Sequence, residues 1–141
     1  MGSDYDDGSE ELILDQEQLE YIESILRQGL IECGVHSVML IDMAGNIISQ
    51  QDNGLVDHDM YSLAALASAN FAAVDTMAKI VGEEEFSLLF HKGEKANIHF
   101  SKVHHDFLLI TIFGKEVALG LLRLKVTDAI EKIQVLWEKP S

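Results

Sequence analysis

Six histidines, one cysteine and two arginines are the side chains of this 141-residue chain best suited to metal, acid–base or nucleophilic chemistry. His104 and His105 are adjacent in a turn, so only one of them can readily point in a given direction. His36 and His58 stand alone in the sequence. His91 and His99 fall on one sheet face in the register preferred below, but as offset neighbours with Asn97 and Leu89 opposite them. No HExxH, no Cys/His set and no three-ligand cluster occurs, which argues against a metal site. Cys33 has no sequence-local activating group and reads as a small buried hydrophobe, and there is no GxSxG elbow. Neither GxxxxGKS/T nor a GxGxxG after a strand is present, so the chain is not expected to cradle nucleotide phosphates itself. Arg27 and Arg123 fall on helices rather than loop tips, where salt bridges are their expected role and an arginine finger is not. The expectation is a protein without catalytic residues, metal or cofactor.

The length fits one domain that buries roughly two thirds of its unfolded surface. A net charge of −14, with only ten Lys and Arg spread along the chain, disfavours nucleic acid as a partner. Part of the acidity lies in MGSDYDDGSEE at the N-terminus, too poor in apolar residues to fold. Residues 1–14 are therefore expected to be an acidic flexible tail and residues 15–138 a single domain. No apolar run approaches the ~20 residues of a membrane span. The N-terminus has neither the flanks of a signal peptide nor, with Asp6 after Met1-Gly2, a myristoylation signal, and one cysteine cannot form an internal disulfide. A cytoplasmic protein is expected.

Local patterns lay out the elements. Asp15 and Gln18 form a capping box, and Leu19, Ile22, Leu26 and Leu30 continue it as a helical stripe that Gly34 should end. VMLI (38–41) and IIS (47–49) flank a DMAGN turn in which Gly45 and Asn46 are expected to supply positive φ. Asp57 or Asp59 should cap a second helix from about Met60 to Val81, with Gly82 after it. EFSLLFHK (85–92), KANIHFSK (95–102) and FLLITIF (107–113) read as a three-stranded meander. A three-residue turn, Gly93 to Lys95, is preferred because it gathers Phe86, Leu88, Phe90, Ile98 and Phe100 on one face. Phe107 to Phe113 is apolar on both faces, as a central strand should be. Leu119, Leu122, Val126, Ala129, Ile130, Ile133 and Trp137 trace one face of a last helix, from about Lys115 to Trp137. The order α-β-β-α-β-β-β-α folds most simply as an α/β/α sandwich around a five-stranded antiparallel sheet.

The second helix carries LAALASANFAAVDTMA (63–78), with seven alanines and a single charge, Asp75. A helical projection places Leu63, Leu66, Ala67, Asn70, Phe71, Val74, Met77, Ala78 and Val81 toward the sheet. Tyr61, Ala65, Ser68, Ala72, Thr76 and Lys79 fall opposite, with Ala64, Ala69 and Asp75 on the flanks. Side chains this small let another backbone approach closely, so this face reads as a protein interface. EFSLLF, lacking proline and with modest charge, is a candidate for strand pairing with a second chain. Asn70 among apolar neighbours reads as a buried hydrogen-bonder.

VMLIDMAGNII, LAALASANFAAVDTMAKIVGEEEFSLLFHKGEKANIHFSKV and FLLITIFGKEVALGLLRLK, in this order and spacing, resemble the Roadblock (dynein light chain) family over about residues 36–126. The resemblance is greatest to its bacterial members that regulate small Ras-like GTPases. It implies a fold of the profilin-like or longin-like kind and a homodimer in which the third strand and the second helix meet their counterparts. Phe86, Leu88 and Phe90 would belong to the pairing strand, with Ala65 and Ala72 also at the dimer contact. Ala65, Ser68, Ala69, Ala72 and Thr76 would form the helical surface that takes the GTPase. The implied function is a non-catalytic regulator or scaffold that either binds the GTPase or stimulates its GTP hydrolysis without an arginine finger. The alternative from a different class is a ligand-sensing sandwich domain of the PAS-like or profilin-like type, which would need room beneath Leu63, Phe71 and Met77.

Overall fold

The computed structural model describes residues 14–84 and 89–137. Its elements are α1 (Gln16–Gly29), β1 (Ser37–Asp42), β2 (Ile47–Asp52), α2 (Met60–Ile80), β3 (Leu89–Lys92), β4 (Asn97–His104), β5 (Phe107–Phe113) and α3 (Leu119–Gln134). Short 3-10 turns follow α1 at Ile31–Cys33 and α3 at Val135–Trp137. All neighbouring strands are antiparallel, in the spatial order β2-β1-β5-β4-β3. The expected α/β/α sandwich and its element order are therefore what the chain adopts.

Local chemistry accounts for the helix ends. Asp15 Oδ1 accepts from Gln18 N at 2.8 Å while Asp15 N donates to Gln18 Oε1 at 3.0 Å, the reciprocal capping box that starts α1. Asp59, rather than Asp57, caps α2 and accepts from Ser62 N at 3.1 Å. Those hydrogen bonds, the one from the Ser62 hydroxyl foremost, hold the Asp59 carboxyl below its ordinary range. At the other end Glu83 N donates to Ala78 O at 2.8 Å and Gly82 N to Lys79 O at 3.1 Å. That pair of bonds needs a left-handed residue, and Gly82 supplies it at φ 89°.

The sheet separates two cores. Ile22 and Leu26 of α1, Leu30 just after it, and Leu122, Val126, Ala129 and Ile133 of α3 pack on one face over Val38, Leu40, Leu109 and Phe113. Ala64 and Ala67 of α2 pack on the other over Met39, Ile41, Leu108 and Ile110. Because both faces of β5 are covered, every residue from Phe107 to Phe113 is buried. Helix α3 begins at Leu119 rather than near Lys115, leaving Gly114 to Ala118 as a loop.

Two expectations about turns are corrected. The β1–β2 turn has one positive-φ residue, Gly45 at 90°, and Asn46 is not another. Instead Asp42 organises the turn: its Oδ1 accepts from Ala44 N at 3.0 Å and Asn46 N at 2.8 Å, and its Oδ2 from Asn46 Nδ2 at 3.0 Å. The β3–β4 connection spans Gly93 to Ala96, pairing Lys92 with Asn97, His91 with Ile98 and Phe90 with His99. Phe90 therefore lies on the opposite face from Ile98 and Phe100, and His91 on the opposite face from His99. The single-face argument failed because the sheet has a core on each side. Phe90 stacks on Phe113 in one core, with ring centroids 6.1 Å apart, and Ile98 and Phe100 enter the other.

Candidate functional site

Helix α2 packs Ala64 and Ala67 on the sheet, with the half-buried Leu63 and Phe71 beside them on the side where the projection placed them. Ala64 is 0% and Ala67 3% exposed, whereas Leu66 is 68%, Met77 52%, Ile80 78% and Val81 67% exposed. The projection that turned Leu66, Met77 and Val81 inward is thus corrected by a rotation of the helix. The cause is close approach: a Cβ added to Gly45 would lie 3.0 Å from Ala65 Cα and 3.1 Å from Ser68 Oγ. Only small residues fit beneath the β1–β2 turn. Ser68 is buried at that contact, its hydroxyl donating to Ala65 O at 2.9 Å, so it lies inward and not on the outer face.

The outer face of α2 holds Ala65, Ala69, Ala72 and Thr76, all exposed, beside Leu66, Ala73, Met77 and Ile80. Its charge is confined to the rim, where Lys79 Nζ meets Asp75 Oδ2 at 2.6 Å. That hydrogen bond lowers the Asp75 pKa, which keeps the pair charged. Asn70 is half-buried at the margin facing β3, where its Oδ1 lies 3.4 Å from His91 Nε2. The apolar face therefore runs toward β3, an edge strand with no sheet neighbour beyond it among the described residues. Phe90 of the proposed pairing strand is half-buried beneath α3, whereas Phe86 and Leu88 lie outside the described residues.

The groups capable of chemistry are dispersed. His36 Nε2 lies 2.8 Å from Glu116 Oε2, a hydrogen bond that holds the Glu116 carboxyl below its ordinary range. His99 is 3% exposed, with Nδ1 3.2 Å from Ser101 Oγ and no partner at Nε2 among the described residues. Burial, with a smaller contribution from the Arg123 charge, pushes its pKa down to about 4, so it stands neutral. His104 stacks on Trp137 with ring centroids 5.5 Å apart. Arg27 Nε donates to Gln51 Oε1 at 2.7 Å, tying α1 to β2. No group of three His, Cys, Asp or Glu among the described residues could hold a metal ion, and no described helix is long and apolar enough to cross a membrane.

The Roadblock/LC7 domain model matches residues 22–113, most of the two-core sheet with α2. The chain belongs to the Roadblock/LC7 family. Among solved structures, MglB of Myxococcus xanthus is 30% identical, with a TM-score of 0.81 over 90% of this chain and 95% of that one. The gliding protein MglB of Thermus thermophilus is 25% identical, with a TM-score of 0.82 over 94% of this chain and 99% of that one. An uncharacterized protein of Methanocaldococcus jannaschii is 27% identical over 82% of this chain and 99% of its own length. The family model ends at Phe113, so α3 and the loop before it lie outside the matched residues.

Sequence reasoning missed two features of this Roadblock domain. One is the exposed row Leu66, Met77 and Ile80, hidden by the assumption that large apolar residues face inward. The other is a groove between the β3–β4 turn and the start of α3, lined by Lys92, Lys95 and Lys115 over Phe90 and Phe113. Its lysines are separated in sequence, and only the pairing of β4 with β5 brings the two segments together.

Proposed function

We propose that this Roadblock domain is a homodimeric, non-catalytic regulator or scaffold for a small Ras-like GTPase. The observation that carries the reading is the outer face of α2, apolar and nearly free of charge, running toward the open edge of β3. An exposed patch of this kind on an otherwise acidic surface marks an interaction site. Pairing β3 with its copy would extend the sheet and bring the two α2 helices side by side. Phe86, Leu88 and Phe90 then belong to the pairing strand, and Ala65 and Ala72 to the helix contact. Ala65, Ala69, Ala72 and Thr76 form the surface for the GTPase, and Ser68, buried beneath the β1–β2 turn, takes no part in it.

Similarity to the two MglB structures supports this assignment within the family. The partner is expected to meet the domain in the cytoplasm, and stimulation of hydrolysis would come from repositioning groups the GTPase already owns. The acidic segment 1–14 is read as a flexible tail, and all of it but Leu14 lies outside the described residues. The experiment is co-purification and GTP turnover with the small GTPase encoded nearest to this protein, in both nucleotide states, alongside the mass of the free protein in solution. A dimer that binds in at least one nucleotide state is expected. A monomer that binds in neither overturns the reading.

A further inference from the structure

We propose that the groove between the β3–β4 turn and α3 binds a small amphiphilic anion, a carboxylate or phosphate head on an apolar body. The groove has a volume of about 980 Å³, large enough for a drug-sized ligand. Its floor is apolar: Phe90 stacks on Phe113, and Val117 and Leu119 complete the wall beneath α3. Its rim is cationic. Lys92, Lys95 and Lys115 are three of the eight lysines in a chain of net charge −14, and all three line this one groove.

None of the three makes an ion pair among the described residues. Glu94 is the carboxylate at the tip of the turn, and Glu116 beside Lys115 is held by His36 at 2.8 Å. Lysines of one sign on low-dielectric walls concentrate positive potential where an anion would sit. The start of α3 adds to it, because Ala118 caps the helix with no side-chain hydrogen bond and leaves first-turn N–H groups open beside Leu119.

Polar atoms on the same sheet face lack partners among the described residues. Asn97 lines the groove with a buried Oδ1 that accepts no hydrogen bond. One rung deeper His99 Nε2 and Thr111 Oγ1 are likewise unpartnered, at 3% and 0% residue exposure. Buried polar atoms are ordinarily satisfied, and of these three Asn97, which lines the groove, is the one within reach of a ligand there. A bare anion would leave the half-buried Phe90 ring wet, and a neutral apolar molecule would leave the lysines unused. The amphiphile satisfies both. An anionic bilayer is disfavoured because the rest of the molecule would repel it.

The test is calorimetric titration of the full chain with decanoate and with decyl phosphate below their micelle concentrations. Decanol, inorganic phosphate alone and anionic phospholipid vesicles complete the set. Saturable binding near one per chain is expected, weaker by about tenfold or more for decanol and for phosphate alone. The Lys95→Glu/Lys115→Glu variant, altered only at exposed loop positions, should lose about tenfold or more in affinity with an unchanged thermal melt. Lys132→Glu, in the last turn of α3 and away from the groove at its start, should bind as the parent does. Equal binding of decanol, undiminished binding by the double variant, binding to vesicles alone, or no saturable binding of either amphiphile would each overturn the proposal. None of these readouts depends on dimerisation or on a GTPase.

Discussion

Gly45 at the tip of the β1–β2 turn rests on Ser68 of α2, so closely that a Cβ on the glycine would lie 3.1 Å from the serine Oγ. This contact sets the rotation of α2. The turn occupies the side of the helix bearing Ala64, Ala65 and Ser68, and the larger Leu66, Met77 and Ile80 are left facing outward. One close approach inside the chain thereby decides which residues are free to meet another chain.

Gly45→Ala should destabilise the fold by about 2 kcal/mol, because it combines left-handed backbone strain with a crowded helix contact. Gly54 separates the two contributions. Its φ is 83° but a Cβ there would meet nothing within 4 Å, so Gly54→Ala should cost only about 1 kcal/mol. Urea denaturation measures both. Equal losses would show that the contact with Ser68 is too soft to fix the helix.

Ser68→Arg and Ala72→Arg should behave in opposite ways, although both positions carry small residues within one turn of each other. Ser68 is 7% exposed beneath the hairpin, so arginine there forces apart a packed contact and should cost about 3 kcal/mol or more. Ala72 is exposed, and its arginine should change stability by less than about 0.5 kcal/mol while abolishing partner or dimer contacts. A denaturation midpoint for each variant, with solution mass and GTPase binding for Ala72→Arg, makes the comparison. A Ser68→Arg protein as stable as the parent would contradict the helix orientation.

Most of the fold was legible because its signals are local. Asp15 with Gln18, an aspartate at 57 or 59 before an apolar periodic run and Gly82 after it mark the helix ends, and Phe107 to Phe113 names the central strand by being apolar on both faces. The strand register between β3 and β4 was not legible. Alternation fixes register only when a single face is buried, and here Phe90 enters the core under α3 while Ile98 and Phe100 enter the core under α2. The small, nearly uncharged stretch of α2 was legible in composition, but the orientation of the helix was not. Its inward face is chosen by Gly45, nineteen residues before Ala64 and on a different element. The lysine groove was illegible for the same reason, since Lys92 and Lys115 meet only through strand pairing.

Leu66→Asp with Met77→Asp should leave the domain folded and reduce its mass in solution. Both side chains are more than half exposed, at 68% and 52%, so their loss from the free chain removes little buried area. In a pair of α2 helices meeting side by side the same two carboxylates would be desolvated without partners. Sedimentation velocity across a concentration series reads the result. Unchanged self-association would place the contact between copies on another face.

Stability should fall as pH drops from about 6.5 to about 4, and His99 should account for much of the fall. In the fold burial keeps this imidazole neutral, with a pKa pushed down to about 4, whereas the unfolded chain protonates it near its ordinary ~6.5. Between those values the unfolded state binds the extra proton, so each step down in pH favours unfolding. Above about pH 6.5 both states are neutral and the contribution is complete; below about 4 both are protonated and the full loss, on the order of 3 kcal/mol, has been incurred. Glu116 adds a separate dependence at lower pH. The hydrogen bond from His36 holds its carboxyl below the ordinary 4.5, so its contribution is present above that value and lost as pH falls through the lowered one. His99→Gln removes the first dependence and leaves the second. Urea denaturation from about pH 7 down to about 4.5 should therefore show a flatter profile for the variant than for the parent. Parallel profiles would mean that His99 is protonated in the fold, with Nε2 reaching water or an acceptor that its burial denies it.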